Sequence, residues 1–351
     1  MSERTMRIGL VGFGVGGRHF HGPFIEAASG VELAGVVARR DETKAAVAER
    51  FPGTPTYDSL AELVDTERAG AGLDAVTVST PPATRRALVL EALDSGLHVV
   101  ADKPFAPDAV AAQHLSDAAD RAGRILGVYH NRRLDSDFVT VSRLIASGRL
   151  GRVTRFHSRM DQGDASTMEG GPTGGLLRDL GSHLIDQGLH LFGPVERVHA
   201  TLDEVDTPDG PTDGAFVVSI RHGCGTTSHL SASKLNYLDE RELRIYGDAG
   251  SYLARSTDVQ AQAVLAGRRP TDEPAEWGRE PERAWGTLRT AAGAETIPAE
   301  QGNYAWYYER FAEAIRTGNT PPVPAHEGVA VLRVLDAIRE STATGQAVRL
   351  G

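Results

Sequence analysis

Short apolar runs alternate with helical patterns along the first 130 residues, and this alternation restricts the possible folds more than any other feature of the chain. The apolar runs are MRIGLV, ELAGVVA, DAVTVS, LHVVA and RILGVY. Strand and helix repeats at this spacing predict a parallel sheet covered by helices on both faces. The continuously apolar runs at 75–78 and 98–101 fit strands that are buried on both sides.

After about residue 150 apolar and polar residues alternate with a period of two, in RVTRFHSRM, ERVHATLDEV, GAFVVSI, TTSHLSASKL and RELRIYG. These runs predict a large, mostly antiparallel open sheet. Helices are predicted near 179–191, 304–317 and 326–344, and a long surface loop at 265–299. We therefore predict an α/β chain with a doubly wound Rossmann domain at 1–130, followed by an α+β domain for substrate binding and oligomerisation at 131–351.

A glycine-rich turn follows the first predicted strand and opens a helix. It reads Gly12-Phe13-Gly14-Val15-Gly16-Gly17, in which the first, third and sixth residues fill a G-x-G-x-x-G pattern. In this context glycine permits a tight turn, lets the backbone approach a pyrophosphate and directs the helix N-terminus at its charge. A dinucleotide site is therefore predicted; in the alternative, the glycines only pack the helix against the strand.

The end of the second predicted strand bears on the choice between the two nicotinamide cofactors. It carries Arg39 and Arg40, and the first acid, Asp41, is a more natural helix N-cap than a ribose ligand. Two guanidinium groups here favour the 2′-phosphate of NADP, while NAD remains possible. The alternative is that both arginines lie in solvent at the start of a helix.

Two further motifs carry candidate catalytic groups. Lys103, between Asp102 and Pro104, follows a buried strand at the carboxyl edge of the sheet, where ligands of such folds collect. On a helix Asp179 and His183 are one turn apart, and a carboxylate beside an imidazole orients a general base that works near neutral pH.

Other interpretations of this histidine remain open. Asp186 or Gln187 would share the same helix face as Asp179 and His183. A metal-binding face of His183, Asp186 and His190 lacks a further ligand set with recognisable spacing, so no metal is predicted. An isolated histidine is also commonly a satisfied core residue.

The segments GFGVGGRHFH, ADKPF, HNRRLDSDF and GGLLRDLGSHLIDQGLHLFG, in this order, resemble the Gfo/Idh/MocA family of nicotinamide-dependent sugar and cyclitol oxidoreductases. The segments EWGREPERAWGTL, GNYAWYYERFAEAI and PPVPAHEG resemble its branch of NADP-dependent scyllo-inositol dehydrogenases. The resemblance implies that Lys103, Asp179 and His183 are catalytic. It also implies a Rossmann domain followed by an α/β domain whose open sheet often makes the subunit contacts.

The chain departs from the family pattern at two places. Thr80 and Pro81 are expected to contact the cofactor, together with the glycine turn, Arg39, Arg40 and Lys103. Directly after Pro81 the family commonly has Asn and, three residues later, His. This chain has Pro82 and Arg85 there, so some cofactor contacts are expected to differ. Between residues 161 and 170 it also lacks a longer arginine-containing loop of the branch, so the substrate of the branch does not transfer directly.

Four polar residues are candidates for the substrate wall, since many hydroxyl groups require many fixed hydrogen-bond partners: Asn131, Arg132, Asp161 and Tyr304. Each has an alternative role as an ordinary contact between domains. The predicted reaction is reversible hydride transfer between the nicotinamide and a secondary alcohol of a sugar or an inositol-like polyol. The alternatives are reduction of a keto sugar or an imine, and a non-catalytic NADP-binding sensor on the same scaffold.

Charge and cysteine content restrict the partners. The formal charge is −10 with no basic run, so neither nucleic acid nor a membrane is an expected partner. The start MSERTMRIGLVGFG lacks the features of a signal peptide, and the single cysteine, Cys224, excludes an internal disulfide. Both observations favour the reducing cytoplasm.

The strands of the second half also predict a homodimer or a homotetramer through the C-terminal sheet. The second half contains one clear helix for a sheet of about six strands. One half-apolar face of that sheet would then be left in water unless another subunit covers it. Val218 is a candidate outward residue on that face and Ser219 its control. In the alternative, a loop carrying Trp277 and Trp285 covers the sheet and leaves a monomer.

Overall fold

The computed structural model describes residues 4–168, 170–171 and 174–351. The chain forms two compact units. The N-terminal unit contains the residues up to Asn131 together with Ala261–Trp277 and Asn303–Val329, and the second unit contains Arg132–Gln260, Gly278–Gly302 and Ala330–Gly351. A domain boundary between residues 130 and 131 stays a prediction, although two later segments belong to the first compact unit.

Parallel strands form the sheet of the N-terminal unit in the order β3-β2-β1-β4-β5-β6, which is the doubly wound arrangement. The predicted Rossmann fold is therefore confirmed. The elements are β1 Met6–Val11, α1 Gly22–Ala27, β2 Val31–Val37, α2 Asp41–Arg50, β3 Thr56–Tyr57, α3 Leu60–Ala69, β4 Ala75–Val78, α4 Pro82–Asp94, β5 His98–Ala101, α5 Ala109–Ala122 and β6 Leu126–Val128. Sequence periodicity did not predict β3, because a two-residue strand carries no repeat.

The first helix begins differently from an ordinary α-helix. Gly16–His21 forms a π-helical segment, and the α-helical hydrogen bonding starts only at Gly22 in α1. Such segments are rare and occur often at functional sites. The residues after the glycine turn are therefore placed by a locally widened helix.

The second unit is built on an open sheet in the order β14-β13-β12-β11-β7-β10-β9-β8-β15, which is antiparallel except between β7 and β10. This confirms the predicted second sheet. The remaining elements along the chain are α6 Ser136–Ala146, β7 Val153–Asp161, α7 Ser182–Phe192, β8 Val195–Thr207, β9 Gly210–His222, β10 Thr227–Ser233, β11 Glu240–Gly247, β12 Gly250–Arg255, α8 Val259–Leu265, β13 Gly286–Thr290, β14 Gly293–Ile297, α9 Ala305–Thr317, α10 Ala325–Thr344 and β15 Val348–Arg349.

The segment 265–299 is not the long surface loop that its Pro, Gly and charge content predicts. It contains the hairpin of β13 and β14, which extends the sheet beyond the six strands expected. Polar composition misled the prediction because β14 lies at the edge of the sheet, where its side chains are mostly exposed. Trp277 packs against Phe24 within the N-terminal unit, with ring centroids 5.9 Å apart.

The open sheet does not have the apolar outward face that the strand patterns predict. Val218 is 1% exposed and faces the core, whereas Ser219 lies on the opposite face. The core side is covered by helices: Phe192 of α7 packs on Phe156, and Ser341 of α10 accepts a hydrogen bond from the Ala200 amide. The predicted half-apolar outward face is thus wrong; that face is mainly polar. Among the described residues, no helix combines the length and the hydropathy needed to cross a membrane.

Candidate active site

The glycine turn between β1 and the π-helical segment depends on close backbone packing. Gly12 has φ +99°, and a Cβ atom there would lie 2.4 Å from the Ser79 carbonyl oxygen. A Cβ on Gly17 would lie 2.1 Å from the Gly12 carbonyl oxygen. Larger residues are excluded at both positions because these neighbours are backbone atoms that cannot move aside.

The remainder of the turn fits a dinucleotide. A Cβ on Gly14 would meet no atom within 4 Å, so the backbone at the start of the helical segment is open to a ligand. Next to this turn, the buried hydroxyl oxygen of Thr80 has no hydrogen-bond partner in the described part of the chain. An accessible helix start and an unsatisfied hydroxyl are what a pyrophosphate group requires. The Phe13 ring packs on Phe51 at 6.0 Å, and its role in cofactor binding stays a prediction.

The end of β2 presents two arginines to solvent. Arg39 and Arg40 are exposed, and Arg40 forms an ion pair of 3.0 Å with Glu42. Asp41 is the first residue of α2 and not its N-cap, which is Arg40. An exposed ion pair of this kind contributes little, so the guanidinium groups can reorient toward a phosphate.

Arg85 is buried, and its guanidinium fixes the backbone around Lys103. It donates hydrogen bonds to the carbonyl oxygens of Asp102 at 2.9 Å, Pro104 at 2.6 Å and Thr80 at 2.6 Å. The Lys103–Pro104 peptide bond is cis. Arg85 therefore joins the ends of β4 and β5 at the carboxyl edge of the sheet.

The Asp102 carboxylate links Lys103 to the glycine turn. It accepts hydrogen bonds from the Lys103 amide and the Ser79 hydroxyl, both at 2.9 Å, and lies 3.4 Å from Nε2 of His21. Burial opposes ionisation, but the nearby charges of His21, Arg85 and Lys103 hold the pKa of Asp102 well below its usual range. The group is therefore an anion that orders this edge.

His21 ends the π-helical segment and is completely buried. Its Nδ1 is 2.7 Å from the Tyr308 hydroxyl, and its ring lies 4.2 Å from that of Tyr129. Neither this histidine nor Tyr308 was predicted from the sequence. The signal was present in part, since His21 follows the glycine motif by four residues, but the partner is 287 residues away.

Asp179 and His183 lie on either side of a change in helix type within the second unit. Leu177–Gly181 is π-helical and carries Asp179, whereas His183 is the second residue of α7. His183 is 5% exposed, while the Asp179 side chain is 44% exposed. The predicted helix is present, but its first turn is wider than an α-helical turn.

An acidic residue from β9 holds the beginning of this segment. Asp213 accepts a hydrogen bond of 2.5 Å from the Leu177 amide, and burial raises the pKa of its carboxyl. Gly175 permits this approach: it has φ +98°, and a Cβ there would lie 2.2 Å from an Asp213 oxygen. The glycines before Asp179 therefore serve to place the π-helical turn.

Lys234 lies near the Asp179 carboxylate. It follows β10, is 5% exposed, and its Nζ lies 3.8 Å from Oδ2 of Asp179. Lys234 was not predicted from the sequence, although the rarity of lysine could have singled it out. The 37 lysine and arginine residues include only three lysines, Lys44, Lys103 and Lys234.

Asp186 forms a buried ion pair with Arg133. Arg133 binds both of its carboxylate oxygens, at 2.7 and 2.5 Å, and the Asp186 side chain is 1% exposed. The described residues contain no cluster of three or more His, Cys, Asp or Glu suited to a metal ion. Gln187 donates to the Arg132 carbonyl oxygen at 3.2 Å, which is a structural contact.

The four substrate-wall candidates are all buried, in two different units. Asn131 and Tyr304 belong to the N-terminal unit, where the Tyr304 ring packs on Phe24 at 5.1 Å. In the second unit Arg132 is paired with two aspartates at 3.2 and 3.0 Å, and Asp161 with Arg159 at 2.6 Å. Their role in substrate binding stays a prediction.

Comparison with known proteins decides the family. Residues 6–130 match the model of an oxidoreductase family NAD-binding Rossmann fold, and residues 142–350 match the C-terminal alpha/beta domain of the same family. The chain belongs to the Gfo/Idh/MocA oxidoreductase family. The family that the motifs indicated is thus confirmed. The predictions of an oxidoreductase and of an NAD(P)-binding Rossmann domain are confirmed as well.

Several members of the Gfo/Idh/MocA family are similar over nearly the full length. The chain is 32% identical to scyllo-inositol 2-dehydrogenase (NADP(+)) IolW of Bacillus subtilis, covering 99% of this chain and 96% of that protein. It is 29% identical to D-xylose 1-dehydrogenase (NADP(+)) 2 of Haloferax volcanii, covering 90% and 92%. The solved structure of an oxidoreductase from Yersinia pestis superimposes with a TM-score of 0.87, at 31% identity, covering 100% and 98%.

Arg85 gives a physical meaning to one departure from the Gfo/Idh/MocA pattern. Arg85 is 5% exposed, and its guanidinium donates to three backbone carbonyl groups. The residue that stands where the family commonly has His therefore holds the Lys103 loop in this chain. Pro82 is the first residue of α4, a position that tolerates proline because its N–H would have no helical partner.

Proposed function

We propose that the protein transfers hydride reversibly between NADP and a secondary alcohol of a sugar or an inositol-like polyol. The observation that carries this is the pairing of a buried His183 with a half-exposed Asp179 on consecutive helical turns of one segment. A buried imidazole with an adjacent carboxylate is suited to remove a hydroxyl proton near neutral pH. The names of the relatives IolW and D-xylose 1-dehydrogenase support a polyhydroxy substrate.

Each of the three groups has a separate task. His183 accepts the hydroxyl proton during oxidation, and Asp179 orients the imidazole and accepts a hydrogen bond from a neighbouring hydroxyl. Lys103 stabilises the negative charge that develops on the substrate oxygen, and Arg85 and Asp102 hold its backbone in place. The bound nicotinamide supplies the hydride acceptor. Gly14 and Thr80 are the contacts that the structure offers to its pyrophosphate.

The test is turnover of the purified protein on a panel of inositol isomers, aldoses and their keto forms with NADP and NADPH. We expect oxidation of at least one polyol, read as NADPH formation at 340 nm on the order of 1 to 10³ turnovers per second. Nucleotide binding without turnover of any panel member would contradict the proposal and favour the sensor. Reduction of keto compounds alone would assign the protein to the reductases.

For the cofactor, Arg39 and Arg40 support a preference for NADP, and the relative IolW is named as NADP-dependent. A charge-assisted contact with the 2′-phosphate contributes about 1.5 to 3 kcal/mol, or about 10- to 100-fold in affinity. We expect NADPH to bind more tightly than NADH by this factor in fluorescence titrations. The Arg39→Ala, Arg40→Ala double variant is expected to lose the preference and leave NADH affinity unchanged. Equal affinities in the unmodified protein would contradict it.

The proposed compartment is the reducing cytoplasm. It rests on the single cysteine, Cys224, which is exposed and cannot pair within the chain. Detection of the tagged protein in fractionated cells tests this prediction, and recovery outside the cytoplasmic fraction would contradict it.

A further inference from the structure

Lys234 is a buried cation for which the reaction described above has no task. Its backbone amide donates to the Gly214 carbonyl oxygen at 2.9 Å, which fixes the residue at the end of β10. The side chain is 5% exposed. Lysine is rarely buried to this extent without partners, because removing an ammonium group from water is costly.

The hydrogen bonds of this ammonium group are incomplete. Nζ carries three N–H groups, and one of them donates to the Thr167 carbonyl oxygen at 3.1 Å. The Asp179 carboxylate, at 3.8 Å, is an ion-pair partner beyond hydrogen-bond distance. Among the described residues no other polar group is paired with Nζ, which leaves donor capacity beside the predicted catalytic carboxylate.

We propose that Lys234 and Asp179 together bind two neighbouring oxygens of the substrate, so that the site selects a vicinal diol. The carboxylate accepts a hydrogen bond from one hydroxyl, and the ammonium group donates to the oxygen on the adjacent carbon. The inference rests on the proposed function, because it uses the same Asp179.

The geometry favours a diol over a single alcohol. A carboxylate is only an acceptor and an ammonium group only a donor, so the pair presents opposite hydrogen-bonding characters 3.8 Å apart. Hydroxyl oxygens on adjacent carbons of a sugar or cyclitol ring lie close enough together for one to bind the carboxylate and the other the ammonium group, and each can take either role. A substrate without the second hydroxyl would leave the buried ammonium group unsatisfied, and such a loss discriminates strongly between analogues.

A purely structural role for Lys234 makes a different prediction. The bond to Thr167 ties the residue to the short 3₁₀ turn Ala165–Thr167 that follows β7. If this tie were its only task, replacing the lysine would lower the thermal midpoint and reduce activity on every substrate equally. Selectivity between a diol and its deoxy analogue is therefore the decisive quantity.

The experiment compares Lys234→Met and Lys234→Gln with the unmodified enzyme, using the best polyol of the panel and its analogue deoxygenated next to the reacting carbon. We expect kcat/KM on the diol to fall about 10- to 100-fold in Lys234→Met, with less than about 3-fold change on the deoxy analogue. Lys234→Gln, which keeps a donor without the charge, is expected to lie between them and serves if the methionine variant does not fold. NADPH affinity is expected to stay unchanged.

Arg152→Met is the matched control, because Arg152 is exposed in the same unit and its removal also takes away one positive charge. It is expected to keep the selectivity of the unmodified enzyme. Equal losses on the diol and its analogue would overturn the role of Lys234 alone. An unmodified protein that turns over no polyol, and binds none in calorimetry with NADP present, would overturn the proposed function and this inference together.

Discussion

At the scale of single residues, His183 is the group on which the proposed chemistry depends most. It is 5% exposed and follows the π-helical segment that carries Asp179. The neighbouring carboxylate Asp186 is bound by Arg133, and Asp179 is the carboxylate that we propose to orient the imidazole. This division of roles cannot be read from the spacing of the residues, because both aspartates fall on the same helix face.

We expect His183→Ala to lower kcat by about 10²- to 10⁴-fold, the usual cost of losing a positioned acid-base group. NADPH affinity is expected to remain unchanged, since the glycine turn belongs to the other compact unit. Steady-state kinetics and nucleotide titration check both points. A variant with near-normal turnover would show that another group accepts the proton.

His222 controls part of the pH dependence of stability. It is completely buried, with its ring nitrogens 3.0 Å from the Gly193 carbonyl oxygen and 2.8 Å from the Ser228 hydroxyl, and burial lowers its pKa. The folded-state pKa thus lies below the unfolded value of 6.5, so the unfolded chain binds an extra proton as the pH falls through that value. Stability from this group is present above pH 6.5 and is lost below it.

We expect His222→Gln to make the unfolding free energy fall less between pH 7.5 and 5.5, because glutamine takes up no proton when the chain unfolds. Denaturant unfolding at the two pH values measures this difference. His326→Gln is the matched control on the N-terminal unit. An unchanged pH dependence in His222→Gln would contradict the assignment.

At the scale of secondary structure elements, the segment before α7 is held by a contact with a strand. The Leu177 amide donates to Asp213 of β9, and Gly175 leaves the space that this carboxylate occupies. A π-helical turn is less regular than an α-helical one and needs such external support. The position of Asp179 therefore depends on β9 as well as on its own helix.

We expect Gly175→Ala to reduce kcat/KM by about 10-fold or more and to destabilise the fold by about 1 to 3 kcal/mol, because the residue has a left-handed φ and its Cβ would overlap Asp213. Gly223→Ala is the control, since its φ is not left-handed and the nearest atom to its Cβ would be 3.8 Å away. Kinetics and thermal unfolding measure the two effects. Unchanged kinetics in Gly175→Ala would show that Asp213 does not place the site.

At the scale of the whole molecule, the outward face of the open sheet is basic. Arg155, Arg197 and Arg221 line a cavity of about 450 Å³ there, and His157 and His229 lie side by side with ring centroids 4.7 Å apart. Val217 is an exposed apolar residue on this face, at 64% exposure. A homodimer or homotetramer through this sheet remains our prediction, now with charged and polar contacts instead of an apolar interface.

We expect light scattering at micromolar protein to give two or four times the chain mass of 37.4 kDa. Val217→Arg adds like charge to the basic face and is expected to shift the mass toward one chain, whereas Val110→Arg, an exposed residue of α5, is the control. A single-chain mass across the concentration range would remove the prediction. A substitution of Val218 would instead test folding, because this side chain is buried.

The sequence by itself determined the features that local patterns encode. Apolar runs separated by helices predicted the doubly wound sheet, because each strand has a strong signal of its own and a right-handed crossover leaves few arrangements. Gly12 and Gly17 could be identified because a tight turn before a helix is a local requirement. Asp179 and His183 could be predicted as candidates for the same reason, since their spacing is a property of one helix.

Only the tertiary structure decided contacts between residues distant in the chain. The face on which Val218 lies, the bonds from Arg85 to the Lys103 loop, and the approach of Lys234 to Asp179 all depend on how separate elements pack. A strand pattern cannot fix which face is covered when both faces carry mixed residues, and a lone lysine gives no sign of a partner 55 residues away. Packing decides these contacts, because a buried charged group is stable only when it pairs with a group that the fold places next to it.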